Sequence, residues 1–194
     1  MNSAEPGDDE LIRGCRENNR KSQEMLYRRY ARSMYNLCLI YESDHDNAKD
    51  ILQDAFIKIF RSIDNFDRKG SLAGWMKKIV TNTAIDHYRK NYHEEQFLPI
   101  EDIVHPISDE ESGDSILETD DIITLVNRLP KGARMIFQLH SIEGYSHKEI
   151  AGLLNISEGT SKSQINRAKQ LLQQWIGGNN MNFRISEGRR KYIR

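Results

Sequence analysis

Apolar residues recur every three or four positions through most of residues 10–92, the spacing of one buried face of an α-helix. The clearest stripe lies at about residues 47–63, and its members are Ala48, Ile51, Leu52, Ala55, Phe56, Ile59, Phe60 and Ile63. Three other helices are expected here: one that follows Asp9, one opened by Ser22 and one opened by Ser71. The pattern therefore predicts an all-helical amino-terminal module.

The predicted helix at residues 47–63 carries an unusual second face. Two carboxylates, an amide and an isoleucine line up at spacings of three and four residues, away from the core stripe: Asp50 with Gln53 and Asp54, and these two with Ile57. An exposed apolar residue framed by polar ones suits contact with a partner helix. A solvated polar face is the simpler alternative, and the pattern alone leaves both open.

The polar side of the helix opened by Ser71 is basic. Its residues are Lys77, Lys78, Asn82, Arg89 and Lys90, and a loop containing Arg68, Lys69 and Gly70 precedes it. A basic row that continues from a basic loop is typical of a track for a nucleic-acid backbone. Trp75 could stack on a base, but its position in the apolar stripe favours a core role.

Residues 145–175 have the pattern of a helix-turn-helix. Ser146 with Glu149 forms a capping box at the start of one short helix, and Ser157 caps a second, longer helix. The polar face of the second helix carries side chains suited to base edges and phosphates: Thr160, Lys162, Ser163, Asn166, Arg167 and Gln170. DNA binding is the favoured interpretation, and an ordinary antiparallel helix pair is the alternative.

The formal net charge of −1 conceals a segregation of charge along the chain. Residues 93–121 hold eleven acids and no Lys or Arg, whereas residues 11–92 sum to +6 and residues 122–194 to +8. Two basic modules on either side of an acidic connector suggest two contacts with nucleic acid, because neutralising phosphates requires local positive charge. A merely solvated linker is the alternative.

These shifts in composition predict four segments. They are a helical module at 1–92, a flexible acidic linker at 93–118, a helix-turn-helix module at 119–177 and a basic tail, expected to be disordered, at 178–194. The fold class is therefore all-α, with two small helical domains joined by the linker.

Several function classes are excluded by what the pattern lacks. No apolar run is long enough to cross a bilayer, and the amino end is acidic where a secretory signal is basic, so a cytoplasmic protein without membrane insertion is expected. Cys15 and Cys38 are isolated, and the histidines show no metal-ligand spacing. No nucleophile–base pair or phosphate loop is evident, and Asp86 with His87 suggests local pairing rather than acid–base chemistry. We expect neither an enzyme nor a bound metal or cofactor.

Three motifs together resemble those of bacterial sigma factors. NAKDILQDAFIKIF and SLAGWMKKIVTNTAIDHYRKN are similar to the second conserved region of that family, and LVNRLPKGARMIFQLHSIEGYSHKEIAGLLNISEGTSKSQINRAK is similar to the fourth. The short connector, in place of a folded third region, resembles the extracytoplasmic-function (ECF) group. The resemblance implies a subunit that binds core RNA polymerase and directs initiation at promoters with minus-ten and minus-thirty-five elements.

The resemblance also implies roles for particular residues. Those matching the surface for the clamp helices of the polymerase's largest subunit are Asp50, Gln53 and Asp54, with Ile57 beside them. Those implied for the minus-ten element are Arg68, Lys69, Lys78, Asn82, Arg89 and Lys90, within and after the loop at residues 66–74. Those implied for the minus-thirty-five element are Ser157, Glu158, Thr160, Lys162, Ser163, Asn166 and Arg167. The implied partners are core RNA polymerase, promoter DNA and an anti-sigma factor.

The chain departs from the family pattern in the second helix of the helix-turn-helix. Ser161 stands where an aliphatic residue is usual, and an inward hydroxyl is expected to loosen the packing of that helix. Gln164 and Lys169 replace frequent arginines, so fewer phosphate contacts are expected. Two rival functions remain: a conventional helix-turn-helix regulator that acts as a dimer, and a helical protein that only sequesters a partner.

Overall fold

The computed structural model describes residues 6–91 and 124–177, and its regular elements there are helical. The all-α prediction is therefore confirmed for these residues. They fall into two compact units, Met1–Lys90 and Asn91–Arg194. We call them unit one and unit two. The predicted linker at 93–118 and the predicted disordered tail at 178–194 lie outside the described residues.

Unit one contains four α-helices. They are α1 at Asp8–Arg16, α2 at Arg20–Tyr41, α3 at His45–Ser62 and α4 at Leu72–Asn91, with a 3₁₀ turn at Ile63–Asn65 after α3. Helices α1 and α3 both pack against α2. Gly14 allows α1 to approach α2 closely, because a Cβ at this position would overlap the Ser22 side chain.

Side-chain caps set the starts of these helices, and one predicted cap is wrong. The predicted N-cap of α2 was Ser22, but Asn19 accepts hydrogen bonds from the amides of Lys21 and Ser22, so the helix begins earlier. Asp44 caps α3 in the same way. Ser71 behaves as predicted, since its Oγ accepts a hydrogen bond from the amide of Gly74 at 3.1 Å.

The core of unit one is built largely from the predicted stripe. Seven of its eight residues on and after α3 are buried, and Phe60 is half-buried. Their buried neighbours from the other helices are Leu11, Ile12, Cys15, Leu26, Met34, Cys38, Tyr41, Leu72, Met76, Val80, Ala84, Ile85 and Tyr88. Burial raises the pKa of the Cys15 thiol and raises the pKa of Cys38 to about 12. Both cysteines are free and buried, so they act as small apolar residues.

Unit two is built around a long carboxy-terminal helix. Helix α5 at Lys131–Phe137 runs into a π-helical turn at Gln138–Ile142, followed by α6 at His147–Leu154 and α7 at Glu158–Gly177. Helix α7 packs against both α5 and α6. The buried apolar residues are Val126, Leu129, Ala133, Met135, Ile136, Phe137, Leu139, Ile150, Leu154, Ile165, Ala168, Leu172 and Ile176.

Side-chain and backbone caps define the short turn between α6 and α7, as the helix-turn-helix pattern predicts. The capping box predicted at Ser146 and Glu149 is present, and α6 ends at Asn155, whose φ of 56° places it in the left-handed region. Asparagine tolerates this conformation better than most residues, so it closes α6 without a glycine. Ser157 then caps α7 by accepting a hydrogen bond from the amide of Thr160 at 2.9 Å.

Within the residues that the structure describes, no helix combines the length and the apolar character needed to cross a bilayer.

Candidate polymerase and nucleic-acid surfaces

The four predicted polymerase-binding residues lie on one exposed face of α3. Asp50, Gln53 and Asp54 are exposed, and Ile57 retains 42% of its surface although it is a large apolar residue. We call Asp50, Gln53, Asp54 and Ile57 the docking face. A few exposed apolar atoms among carboxylates can bind an apolar and basic partner helix.

Two polar bridges join the helix of the docking face to α4. Nε2 of His87 lies 2.8 Å from Oδ2 of Asp54, and Nζ of Lys58 lies 2.9 Å from Oδ2 of Asp86. The expectation that Asp86 and His87 pair locally is wrong, because each side chain reaches across to α3 instead. Sequence spacing could not show this, since the partners are about thirty residues apart in the chain.

The residues predicted to contact the minus-ten element line α4 and the loop before it. Lys78, Asn82, Arg89 and Lys90 are exposed on α4. Their side chains are therefore open to a nucleic-acid backbone, for which cationic and amide donors at one helix surface are suited.

Both predicted basic residues of the loop are held by nearby acids. Nη1 of Arg68 lies 3.3 Å from Oδ1 of Asp9, and Nζ of Lys69 lies 3.2 Å from Oδ2 of Asp67. All four side chains are exposed, so solvent screens both ion pairs and they contribute little to stability. A phosphate can therefore replace either acid at small cost.

The loop itself is anchored at both ends by side chains. Phe66 is buried, and its ring lies 5.5 Å from that of half-buried Trp75, so Trp75 packs largely as the stripe predicts. Oδ1 of Asp67 accepts a hydrogen bond from the amide of Lys69 at 3.1 Å, which folds the tip into a tight turn. Residues 67–71, between Phe66 and α4, are exposed to solvent.

The predicted minus-thirty-five residues divide into two groups on α7. In three of them, Ser157, Thr160 and Ser163, the hydroxyl forms a local hydrogen bond. Ser157 Oγ lies 2.9 Å from Thr160 Oγ1, and Ser163 Oγ donates to the Thr160 carbonyl at 2.9 Å. The remaining four are exposed Glu158, Lys162 and Asn166 and half-buried Arg167. The first group therefore orders the start of the helix. In the second group, Nζ of Lys162 lies 3.9 Å from Oε2 of Glu158, and the side chains of Lys162 and Asn166 are open to solvent.

The expected loosening at Ser161 is wrong. Ser161 is fully buried, and its Oγ lies 2.9 Å from Nδ1 of His147 at the start of α6. The hydroxyl therefore has a partner, and the bond ties the two helices of the motif together. Gln164 is buried, so its side chain is not open to a phosphate, in line with the fewer phosphate contacts expected there.

A histidine pair extends this bond to the π-helical turn. The rings of His140 and His147 stack with centroids 4.4 Å apart, and Nδ1 of His140 lies 2.9 Å from the carbonyl oxygen of Tyr145. The pKa of His147 is lowered first by burial and then by the charges of His140, Lys162 and Lys169, while Glu158 opposes the shift. The neutral ring is thus favoured, and it shares one hydrogen bond with the Ser161 hydroxyl, in which the ring tautomer decides the donor.

Unit two is expected to lose stability as the pH falls. Because the folded-state pKa of His147 is below the ordinary value of 6.5, the unfolded chain binds the proton more tightly. The neutral ring's contribution to the stability of unit two is complete above pH 6.5, the ordinary pKa of histidine. It is lost as the pH falls through the folded-state pKa of His147. Denaturant unfolding of a Trp75→Phe chain, followed by Trp175 fluorescence, measures this loss in unit two. A His147→Gln version should show a flatter pH profile, and identical profiles would contradict the assignment.

Groups of acid, histidine and cysteine side chains that could hold a metal ion do not occur among the described residues.

Comparison with known proteins assigns both units to one family. The family Sigma-70 region 2 matches residues 26–94, and the family Sigma-70, region 4 matches residues 119–172. This chain is a sigma factor of the sigma-70 family. The two regions together cover well over half of it, in the order that the motifs predict.

Similar proteins place this sigma factor in the ECF group. The ECF RNA polymerase sigma factor SigE of Mycolicibacterium smegmatis is 28% identical over 159 residues, which cover 80% of this chain and 62% of that protein. The chain thus spans less than two thirds of that relative's length. The RNA polymerase sigma-H factor of Pseudomonas aeruginosa is 26% identical over 178 residues, covering 86% of this chain and 92% of the relative.

A solved structure with a similar chain is that of CnrH in complex with the cytosolic domain of CnrY. Its TM-score is 0.46 at 19% identity, and the match covers 88% of this chain and 97% of that chain.

Family membership settles the class of function. A sigma factor is a promoter-directing initiation factor of RNA polymerase and carries out no catalysis itself. The alternative of a dimeric helix-turn-helix regulator is not favoured, because the amino-terminal helices match sigma region 2.

Proposed function

We propose that this sigma factor uses three separate surfaces on four segments. Residues 1–92 dock on polymerase and contact the minus-ten element, residues 93–118 act as an acidic linker, and residues 119–177 contact the minus-thirty-five element. Residues 178–194 form a basic tail. The observation that carries the proposal is that the predicted contact residues of unit one are exposed on α3, on α4 and on the loop before α4, while the apolar stripes of the same helices fill the core.

The docking face binds the clamp helices of the polymerase's largest subunit. Support comes from its two exposed carboxylates beside the exposed side chain of Ile57. Carboxylates at the rim of an interface steer a basic partner and fix its register, while the apolar residue is desolvated on binding.

The loop and α4 hold the minus-ten element as a separated strand. Arg68 and Lys69 at the loop tip and Lys78, Asn82, Arg89 and Lys90 along α4 supply donors for the strand. Such a surface suits single-stranded DNA, where backbone charge and splayed bases are available together. The exposed pairs of Arg68 and Lys69 with acids exchange readily for phosphate.

The amino-terminal half of α7 reads the minus-thirty-five element in the major groove. Lys162 and Asn166 are four residues apart on one exposed face, so both can reach the same stretch of DNA. Ser157, Thr160 and Ser163 order the start of the helix, and Glu158 and Arg167 lie beside the reading face.

Neither DNA-contacting unit needs to bind tightly by itself. When polymerase holds the factor on its surface, binding of one unit raises the effective concentration of the other at its promoter element. We propose that this sigma factor works in the cytoplasm, where polymerase and promoter DNA are found. An anti-sigma factor, which membership of the ECF group implies, is proposed as a further partner.

Reconstitution with core polymerase on a promoter library tests this function. Transcripts that require the chain, and that share minus-ten and minus-thirty-five elements, are the expected result. A dimeric regulator would instead bind specific DNA tightly without polymerase, and a sequestering protein would yield no transcripts. The free chain on the same library provides the control, and tight specific binding by it would contradict the proposal.

A further inference from the structure

Arg16, in the last turn of α1, reaches across to the segment where α3 gives way to the loop. Its Nη2 donates to the carbonyl oxygen of Phe66 at 2.9 Å. The same nitrogen lies 3.3 Å from the carbonyl oxygen of Asp64 and 3.5 Å from that of Ile63. One guanidinium therefore meets three acceptors within four residues of the chain, and the bond to Phe66 is the strongest by its length.

At the end of α3, the carbonyl of Ile63 already accepts a hydrogen bond from the amide of Phe66 at 3.3 Å, so Arg16 mainly serves the carbonyls of Asp64 and Phe66. The 3₁₀ turn Ile63–Asn65 closes the helix, and its last carbonyls carry the negative end of the helix dipole. A cationic donor satisfies them better than water because charge-assisted hydrogen bonds are stronger than neutral ones. Arg16 thus acts as a C-terminal cap supplied by a different helix.

The accepting carbonyl of Phe66 begins the loop. The Phe66 ring is fixed in the core against Trp75, while its carbonyl is fixed by Arg16. From this point the chain turns sharply, and Arg68 has a φ of 61°, in the left-handed region. The direction in which Arg68 and Lys69 leave the core is therefore set at Phe66.

Helix α1 meets the loop a second time through Asp9. Its carboxylate lies 3.3 Å from the guanidinium of Arg68, but both side chains are exposed, so this pair is weak. The contact that directs the loop is therefore the one from Arg16.

We propose that Arg16 is a positioning residue for minus-ten recognition. It fixes the path of residues 66–71 so that Arg68 and Lys69 are presented to the separated promoter strand. The inference rests on the proposed function of the loop. Helix α1 carries none of the predicted DNA contacts, and the inference gives it an indirect role in promoter opening.

The test substitutes Arg16→Gln in the full chain and compares it with Arg13→Gln. Both arginines lie on α1, both are exposed, and the change in charge is the same. Holoenzyme is assembled with core polymerase on a promoter carrying 2-aminopurine in the minus-ten element, and strand opening is followed by fluorescence. Opening by Arg16→Gln should be slower by about tenfold because a charge-assisted hydrogen bond is lost. Arg13→Gln should match the unsubstituted chain.

Two further readouts separate positioning from general damage. Arg16→Lys retains one cationic donor and should restore part of the opening rate. Amide hydrogen exchange should rise in residues 66–71 of Arg16→Gln and stay unchanged in α2 and α3, and affinity for core polymerase should be unaltered. Exchange that rises throughout unit one, or unaltered opening and loop exchange, would overturn the proposal.

A loop variant distinguishes this inference from the function on which it rests. Arg68→Ala with Lys69→Ala should impair opening if the loop contacts the minus-ten element. If this variant is impaired while Arg16→Gln opens normally, the loop keeps its role and the positioning role of Arg16 is rejected. If the loop variant opens normally, the minus-ten assignment of the loop is rejected, and the inference is rejected with it.

Discussion

A chain carrying Asp50→Lys together with Asp54→Lys is expected to lose promoter-dependent transcription by about a hundredfold or more while remaining folded. Both side chains are exposed on α3, so the core is untouched. The substitutions replace two carboxylates of the docking face with cations, and like charges across an interface cost several kcal/mol. Transcription by reconstituted holoenzyme measures the loss, and circular dichroism with thermal unfolding measures the fold.

Two controls isolate the docking contact. Glu17→Lys with Glu24→Lys makes the same change in charge at exposed positions outside the docking face and should retain transcription. His87→Gln removes the histidine that bonds Asp54 but leaves the carboxylate in place, so it reports the bridge to α4 alone. Normal transcription by the double docking variant would show that this face does not bind polymerase.

The second large effect is expected from Lys162→Ala with Asn166→Ala on α7. These residues are exposed on one helix face, and each well-formed contact with a base or phosphate contributes about 1–3 kcal/mol. Loss of both should reduce transcription by roughly thirtyfold or more at promoters that depend on the minus-thirty-five element. Polymerase binding should be unaffected. Transcription from templates whose minus-ten element is already separated into a bubble should be unaffected as well.

The matched control is Gln173→Ala with Gln174→Ala, two exposed polar residues near the other end of α7. It removes comparable polar groups from the same helix outside the proposed reading face and should behave like the unsubstituted chain. If the two double variants are equally active, α7 reads the promoter through other residues.

Periodicity predicts the helices of this protein well because each helix buries a continuous stripe. The stripe at residues 47–63 is nearly all core, and the capping box at Ser146 has the predicted bonds. The start of α2 was harder to place because Asn19 and Ser22 are both good caps, and only the fold shows which one meets the free amides. Local signals therefore locate helices more securely than they locate helix ends.

The exposed surfaces are predicted by the same periodicity, but contacts between helices are not. Asp50, Gln53 and Ile57 are exposed as the pattern indicates. The reach of Arg16 to the carbonyl of Phe66 spans fifty positions of sequence, so no local pattern contains it. Hydrogen bonds between helices depend on how the helices cross. An amphipathic stripe indicates only which side of a helix faces inward, so it does not predict these bonds.

Ser161 shows how a single position can mislead when its partner is unknown. A hydroxyl on an inward face is unfavourable if nothing accepts or donates to it, which justified the expected loosening. His147, fourteen positions earlier, supplies the missing partner. Ser161 and His147 thus form a hydrogen bond where an aliphatic residue would form only an apolar contact. Because a hydrogen bond is directional, it restricts the angle between α6 and α7 more than apolar packing alone.

The bridges from α3 to α4 connect two proposed surfaces of unit one. Asp54 with His87 and Lys58 with Asp86 join the helix of the docking face to the helix proposed to hold the opened strand. If both proposed roles hold, the interval between the enzyme's clamp and the first separated bases is an internal dimension of unit one. The position of the RNA start would then depend on the spacing of two helices within it.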